Sequence, residues 1–255
     1  MNIVSYLDYT LLESTTTERE IIDLCNKARE NNYYGICVNG SYVSLVKQFL
    51  QDTDIKVSTV VGFPLGCSTT KSKIYEAEQA IEDGAEEIGM VINLGFVKSK
   101  NYVSVLKDIS DVKMAIGDMP LKVIIEISEL NKNEIVRISE ICIDAKADFI
   151  ETSTGFSKSG ATLTAIKIIK KTIKDAAKIK ATGDILDHES ALKYLEVGAD
   201  RLGISTTYKG LNNNTRQQRN SKIYKKYLES AAKKSETTQT TPNFKEVSSN
   251  KFQDS

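Results

Sequence analysis

Eight short β-branched runs, each followed by a longer amphipathic stretch, constrain this chain more than any other feature of its sequence. The runs fall at residues 4–8, 35–39, 57–61, 88–93, 123–127, 149–153, 179–182 and 201–205. Successive runs lie about thirty residues apart, the length of one βαβ unit. Helical patterns occupy 18–31, 42–50, 71–82, 102–115, 132–145, 163–176 and 189–197. In the first of them Ile21, Ile22, Cys25 and Ala28 share one face, and Thr17 with Glu20 has the spacing of a capping box. The fragments GAEEIGM, KADFIET and GADRLGI each carry a helix end into a strand. Eight strands with intervening helices fit a closed (β/α)8 TIM barrel, an α/β fold built as a single domain. A doubly wound sheet is the competing arrangement, but no G-x-G-x-x-G follows the first run.

A chain of 255 residues is long enough for one such barrel. The barrel is expected over residues 1–230, with a last helix at about 216–230 that groups Ile223, Tyr224, Tyr227 and Leu228 on one side. Residues 231–255 are polar and poor in aliphatics, and disorder is expected there. Lysine plus arginine and aspartate plus glutamate both number 34, so no global basic field points to nucleic acid or an anionic membrane. The first residues, MNIVSYLDYTLLE, lack a basic region followed by a sustained apolar run, and no apolar run approaches transmembrane length. A cytoplasmic protein is the expectation. A homo-oligomer stays open, and the sequence names no protein partner.

Cys25, Cys37, Cys67 and Cys142 are scattered without a CxxC pair and sit among apolar neighbours, so all four are expected to be buried thiols. His188 is the one histidine and follows Asp187 at a helix start. No metal site built from several histidines is possible, and a Ser-His-Asp triad would have to use this residue.

Chemistry in such barrels gathers at the C-terminal ends of the strands. Asp8, Thr10, Asn39, Asn93, Glu126, Glu151, Ser153, Thr154, Lys180, Thr182 and Ser205 map there. Strand alternation turns Phe149, Glu151 and Ser153 inward on one strand and Lys178, Lys180 and Thr182 inward on the next. Glu151 and Lys180 are therefore expected to meet near the barrel mouth. A buried lysine can attack a carbonyl only as the neutral amine, which an adjacent carboxylate opposes. The two inward charges read either as an ion pair or as a catalytic site, and the carboxylate favours the pair. Loop segments STGFSKSGAT, ATGD and GISTT place glycines and hydroxyls at three strand ends, a pattern able to hold a phosphate through backbone N–H groups. Asp184 within ATGD opposes that by its charge.

The segments LDYTLLE, GICVN, VSTVVGFPLG, EEIGMVIN, LKVIIE, ADFIETSTGF, IKATGD and ADRLGIS, from about Leu7 to Ser205, resemble in order those of the deoxyribose-phosphate aldolase family. The resemblance implies a (β/α)8 barrel and a class I aldolase without cofactor or metal. Such an enzyme cleaves 2-deoxyribose 5-phosphate to glyceraldehyde 3-phosphate and acetaldehyde through a lysine Schiff base. Its motifs imply that Glu151 occupies the place of the Schiff-base lysine, found in segments like FVKTSTGF, while Lys180 matches the second active-site lysine. Gly89 falls where segments like DEIDMVIN carry a proton-relay aspartate. Asp8, Thr10 and Asn39 fit the family pattern around the reacting centre. A ligand or phosphate site is implied at Thr154, Gly155, Gly183, Asp184, Gly203, Ser205 and Thr206, with Asp184 standing where a second glycine is usual. Lys122 and Lys158 are weaker candidates for a substitute nucleophile. The expectation is an aldolase homologue unable to run the Schiff-base reaction, with a binding, regulatory or scaffold role and a small, sugar-phosphate-like ligand. The alternative is an active aldolase or lyase whose altered mechanism uses Lys180.

Overall fold

Parallel strands linked by helices are covered on their outer face, and closing the sheet covers the inner one as well. The computed structural model describes residues 3–209, and in these the eight expected strands close into a barrel. The strands are β1 Leu7–Leu11, β2 Gly35–Val38, β3 Lys56–Val61, β4 Glu87–Val91, β5 Leu121–Ile124, β6 Phe149–Glu151, β7 Lys178–Thr182 and β8 Arg201–Ser205. Each pairs in parallel with its neighbours in chain order, and β8 pairs with β1. The helices around them are α1 Glu18–Asn31, α2 Val43–Leu50, α3 Thr70–Glu82, α4 Leu94–Lys98, α5 Tyr102–Ile116, α6 Lys132–Asp144, α7 Leu163–Ile173 and α8 His188–Glu196. No helix of the described residues is long and apolar enough to cross a membrane. The expected last helix at about 216–230 and the tail at 231–255 lie outside the described residues.

Local chemistry sets the element ends. The expected capping box of α1 is present, with Thr17 Oγ1 accepting from Glu20 N and Glu20 Oε2 accepting from Thr17 N. Asp187 caps α8, and His188 is its exposed first residue. A helix absent from the sequence reading, α4, starts where Asn93 Oδ1 accepts from Phe96 N at 3.2 Å. That cap turns Asn93 out of β4, which ends at Val91.

Four other expectations change. Residues 4–8 do not form the first strand: Ile3–Tyr6 is a 3-10 turn and β1 begins at Leu7, so Asp8 lies within its strand instead of at the mouth. Tertiary pairing overrides the β-branched pattern here, because Asp8 stands in register with Gly35 and Gly203 between two inward cations. β5 ends at Ile124 rather than residue 127, since Glu126 adopts the left-handed conformation at φ +54°. Lys178 shares the inward face of β7 with Lys180 but is not buried; it opens the strand at the far end of the barrel and is exposed there, its ammonium 5.6 Å from the Phe149 ring centre. Cys67 is likewise exposed on the β3–α3 loop, its thiol donating to Leu65 O, whereas Cys25, Cys37 and Cys142 are buried as expected. Burial pushes the Cys25 thiol up to about 12.

Outside the barrel lumen a buried ion pair fixes two helices. Lys73 Nζ of α3 lies 2.6 Å from Asp108 Oδ2 of α5 and donates to Val91 O at the end of β4. Thr70 Oγ1 donates to the other Asp108 oxygen. This ties α3 and α5 to the mouth end of β4.

Candidate active site and barrel mouth

Alternation along the strands turns six charged side chains into the lumen: Asp8, Glu87 and Glu151, and Lys122, Lys180 and Arg201. All six are buried. Lys180 Nζ stands 3.2 Å from Glu151 Oε1 and 3.0 Å from Asp8 Oδ2. Arg201 reaches Asp8 at 3.1 Å and Glu87 at 3.4 Å, and its guanidinium lies 3.4 Å from the Tyr34 ring centre. Lys122 is 2.7 Å from Glu87 and 3.8 Å from Asp8. The cluster is a closed network with as many anions as cations, the condition under which charges survive in a low-dielectric interior.

Glycines make room for it. A Cβ on Gly203 would stand 2.8 Å from Thr182 Oγ1 and 3.3 Å from Lys180 Cε, and one on Gly35 would stand 3.1 Å from Asp8 Oδ1. Thr182 Oγ1 in turn donates to Glu151 Oε1 at 2.7 Å. Glu151 thus accepts from a hydroxyl and faces an ammonium across one inter-strand step, since Glu151 and Lys180 are register partners of β6 and β7.

Electrostatics fix the protonation of Lys180 and Asp8. Burial works against a charged Lys180, but Glu151 and then Asp8 outweigh it and hold the ammonium above the usual lysine range. Burial likewise opposes the Asp8 charge, yet Lys180, Lys122 and Arg201 keep its carboxyl well below the usual carboxylate range. At neutral pH Lys180 is therefore a cation with no free electron pair, and it cannot attack a carbonyl in this state.

Above the network, the loops after β6, β7 and β8 enclose a cavity of about 420 Å³. All seven residues expected at a ligand site line it: Thr154, Gly155, Gly183, Asp184, Gly203, Ser205 and Thr206. Thr10 lines it as well. Thr182 and Gly203 belong to both the cavity wall and the packing around Lys180, whereas Glu151 and Lys180 do not line the cavity. Thr154 donates to Glu126 Oε2 through both its hydroxyl and its N–H. Burial raises the Glu126 carboxyl above the ordinary glutamate value, and those two donors partly offset the rise. Glu126 Oε1 and Ser153 Oγ are buried without a hydrogen-bond partner.

Of the remaining expected residues, Asn39 and Gly89 do not line this cavity, whereas Lys158 does. Asn39 donates to Leu12 O at 3.2 Å and borders a separate hollow with Phe63 and Tyr75. Gly89 is buried in β4, where a Cβ would stand 3.4 Å from Val60 Cγ1 and 3.7 Å from Ile124 Cδ1. Lys158 is on an exposed loop, 3.0 Å from Glu129. Lys122, rated a weak candidate in sequence, sits inside the network. Glu87 and Arg201 escaped the sequence reading altogether. The signal available for them was a charged residue at an inward register position within an apolar run, in GAEEIGM and GADRLGI.

Known proteins align with this architecture over most of its length. The model of the DeoC/LacD family aldolases matches residues 3–197. Deoxyribose-phosphate aldolase 1 of Mesoplasma florum is 46% identical over 205 residues, covering 80% of this chain and 93% of that protein. The deoxyribose-phosphate aldolase of Finegoldia magna is 46% identical over 209 residues, covering 82% and 98%. Among solved structures, QR15, an aldolase, superposes with a TM-score of 0.78 at 39% identity, covering 81% of this chain and 92% of its own. By sequence and by fold, this chain belongs to the DeoC/LacD family of aldolases.

Proposed function

We propose that this barrel is a deoxyribose-phosphate aldolase homologue that does not run the lysine–iminium cleavage, and that it acts through its mouth cavity as a ligand-binding, regulatory or scaffold protein. The observation that carries the proposal is the position of Glu151, 3.2 Å from Lys180 and within a charge-balanced network. A carboxylate cannot form an iminium with an aldehyde. The lysine that remains is held as a cation by Glu151 and Asp8. Gly89, in the place the family motif gives to a relay aspartate, offers no side chain to move a proton. The cavity above is retained and suits a small sugar-like ligand. This reading needs no metal or cofactor and takes the protein to be cytoplasmic.

Expected outcome: the purified chain shows no retro-aldol turnover of 2-deoxyribose 5-phosphate in an assay that detects acetaldehyde release. The high identity to proteins named as aldolases favours one rival, an altered aldolase or lyase that uses Lys180. That rival requires measurable turnover which vanishes in Lys180→Leu. Such a result would replace the present proposal.

A further inference from the structure

We infer that the mouth cavity takes an uncharged polyhydroxy ligand and discriminates against phosphate esters, with Asp184 as the specificity-determining residue. The inference rests on the reading of this cavity as a retained ligand site, not on the loss of the lysine nucleophile below it.

Anion binding in such loops needs free backbone N–H groups and a favourable local charge. On these loops many of the donors are already engaged within the protein. Gly160 N donates to Asp184 Oδ2 at 2.7 Å. Ala161 N donates to Thr182 O and Gly183 O, Phe156 N to Thr154 Oγ1, and Thr154 N to Glu126 Oε2. Thr207 N donates to Ser205 Oγ and Tyr208 N to Ser205 O. The Asp184 carboxylate therefore sits where an anion would sit, on the Gly160 amide, and satisfies it internally.

The backbone is shaped around this contact. Gly183 and Gly160 abut so closely that a Cβ on Gly183 would lie 2.7 Å from Gly160 Cα. Asp184 itself is a non-glycine residue at φ +60°, a conformation that aspartate tolerates better than most side chains but glycine adopts freely. Glu13 adds a second carboxylate to the cavity lining. Lys158 is the cation among the described lining residues, and Glu129 holds it from outside the cavity at 3.0 Å. What the wall does offer is hydroxyls, with Thr10, Ser205 and Thr206 beside the apolar Phe156 and Ile185. Carboxylate and hydroxyl groups over an apolar face suit sugar hydroxyls, whereas a phosphate dianion would meet like charge at close range.

The test uses the full chain, with inorganic phosphate, free 2-deoxyribose and 2-deoxyribose 5-phosphate as probes in calorimetric titrations. Wild type is expected to bind the free sugar more tightly than its phosphate ester. Asp184→Gly should free the Gly160 amide, relax the backbone and bind inorganic phosphate at least about tenfold more tightly, a change of about 1.4 kcal/mol. Asp184→Asn, which removes the charge but keeps an oxygen acceptor for Gly160 N, should give an intermediate gain. Equal phosphate affinity in all three proteins, or a wild-type preference for the phosphate ester, would overturn the inference. So would a wild type that binds neither sugar. None of these readouts involves an amine adduct, so this inference and the loss of the iminium reaction can fail independently.

Discussion

Glu151→Lys combined with Gly89→Asp is expected to give an adduct with acetaldehyde that borohydride traps at residue 151. The lumen now holds Asp8, Glu87 and Glu151 against Lys122, Lys180 and Arg201. A lysine at 151 converts the 3.2 Å ion pair into two neighbouring amines, and repulsion from Lys180 lowers the new amine's pKa. That is the condition for a nucleophile at neutral pH. Aspartate at 89 returns one negative charge and a group able to move a proton, a role worth roughly 10²–10⁴-fold in rate. Its Cβ would stand 3.3 Å from Thr59 O, so β3 must give by a few tenths of an ångström to admit it. Acetaldehyde is the suitable probe because it carries no phosphate and is indifferent to Asp184. An unmodified double variant that is folded by circular dichroism would mean that more than these two positions closed the reaction.

The second large effect concerns stability. Lys180→Met leaves Glu151 buried with only the Thr182 hydroxyl and costs Asp8 its contact at 3.0 Å. Removing one partner of a buried pair typically destabilises by about 3–5 kcal/mol. In a chain of this size that lowers Tm by on the order of 10 °C. Glu151→Leu leaves Lys180 with Asp8 alone and should cost a similar amount. The double variant Glu151→Leu/Lys180→Met removes both charges together, so its loss should fall short of the sum by at least about 2 kcal/mol. Denaturant titrations of the four proteins measure this coupling. Additive losses would mean that the two side chains are not paired in solution.

Much of the scaffold was legible because periodicity and length specify it. Helix-period runs such as 18–31 and 132–145 alternate with apolar runs too short for helices, and the capping box at Thr17 marks the start of the first. The Glu151–Lys180 contact was legible too, since alternation and strand adjacency suffice to place it. The extended network was not. Asp8 could not be placed at mid-barrel while the first strand was read at 4–8, and a shift of three residues moved it from mouth to lumen. Lys122 and Arg201 depend on the register of four strands at once, which no single segment encodes. The cavity lining was foreseeable from loop composition, but the Asp184–Gly160 bond depends on two loops meeting across 24 residues of sequence.

Treating the wild-type chain with acetaldehyde and borohydride, then mapping lysine peptides by mass, tests the central claim most directly. Lys180 and Lys122 are expected to emerge unmodified, because both are buried and ion-paired. A reduced two-carbon adduct on either lysine would show that an amine in this lumen still forms the iminium, and would contradict that claim.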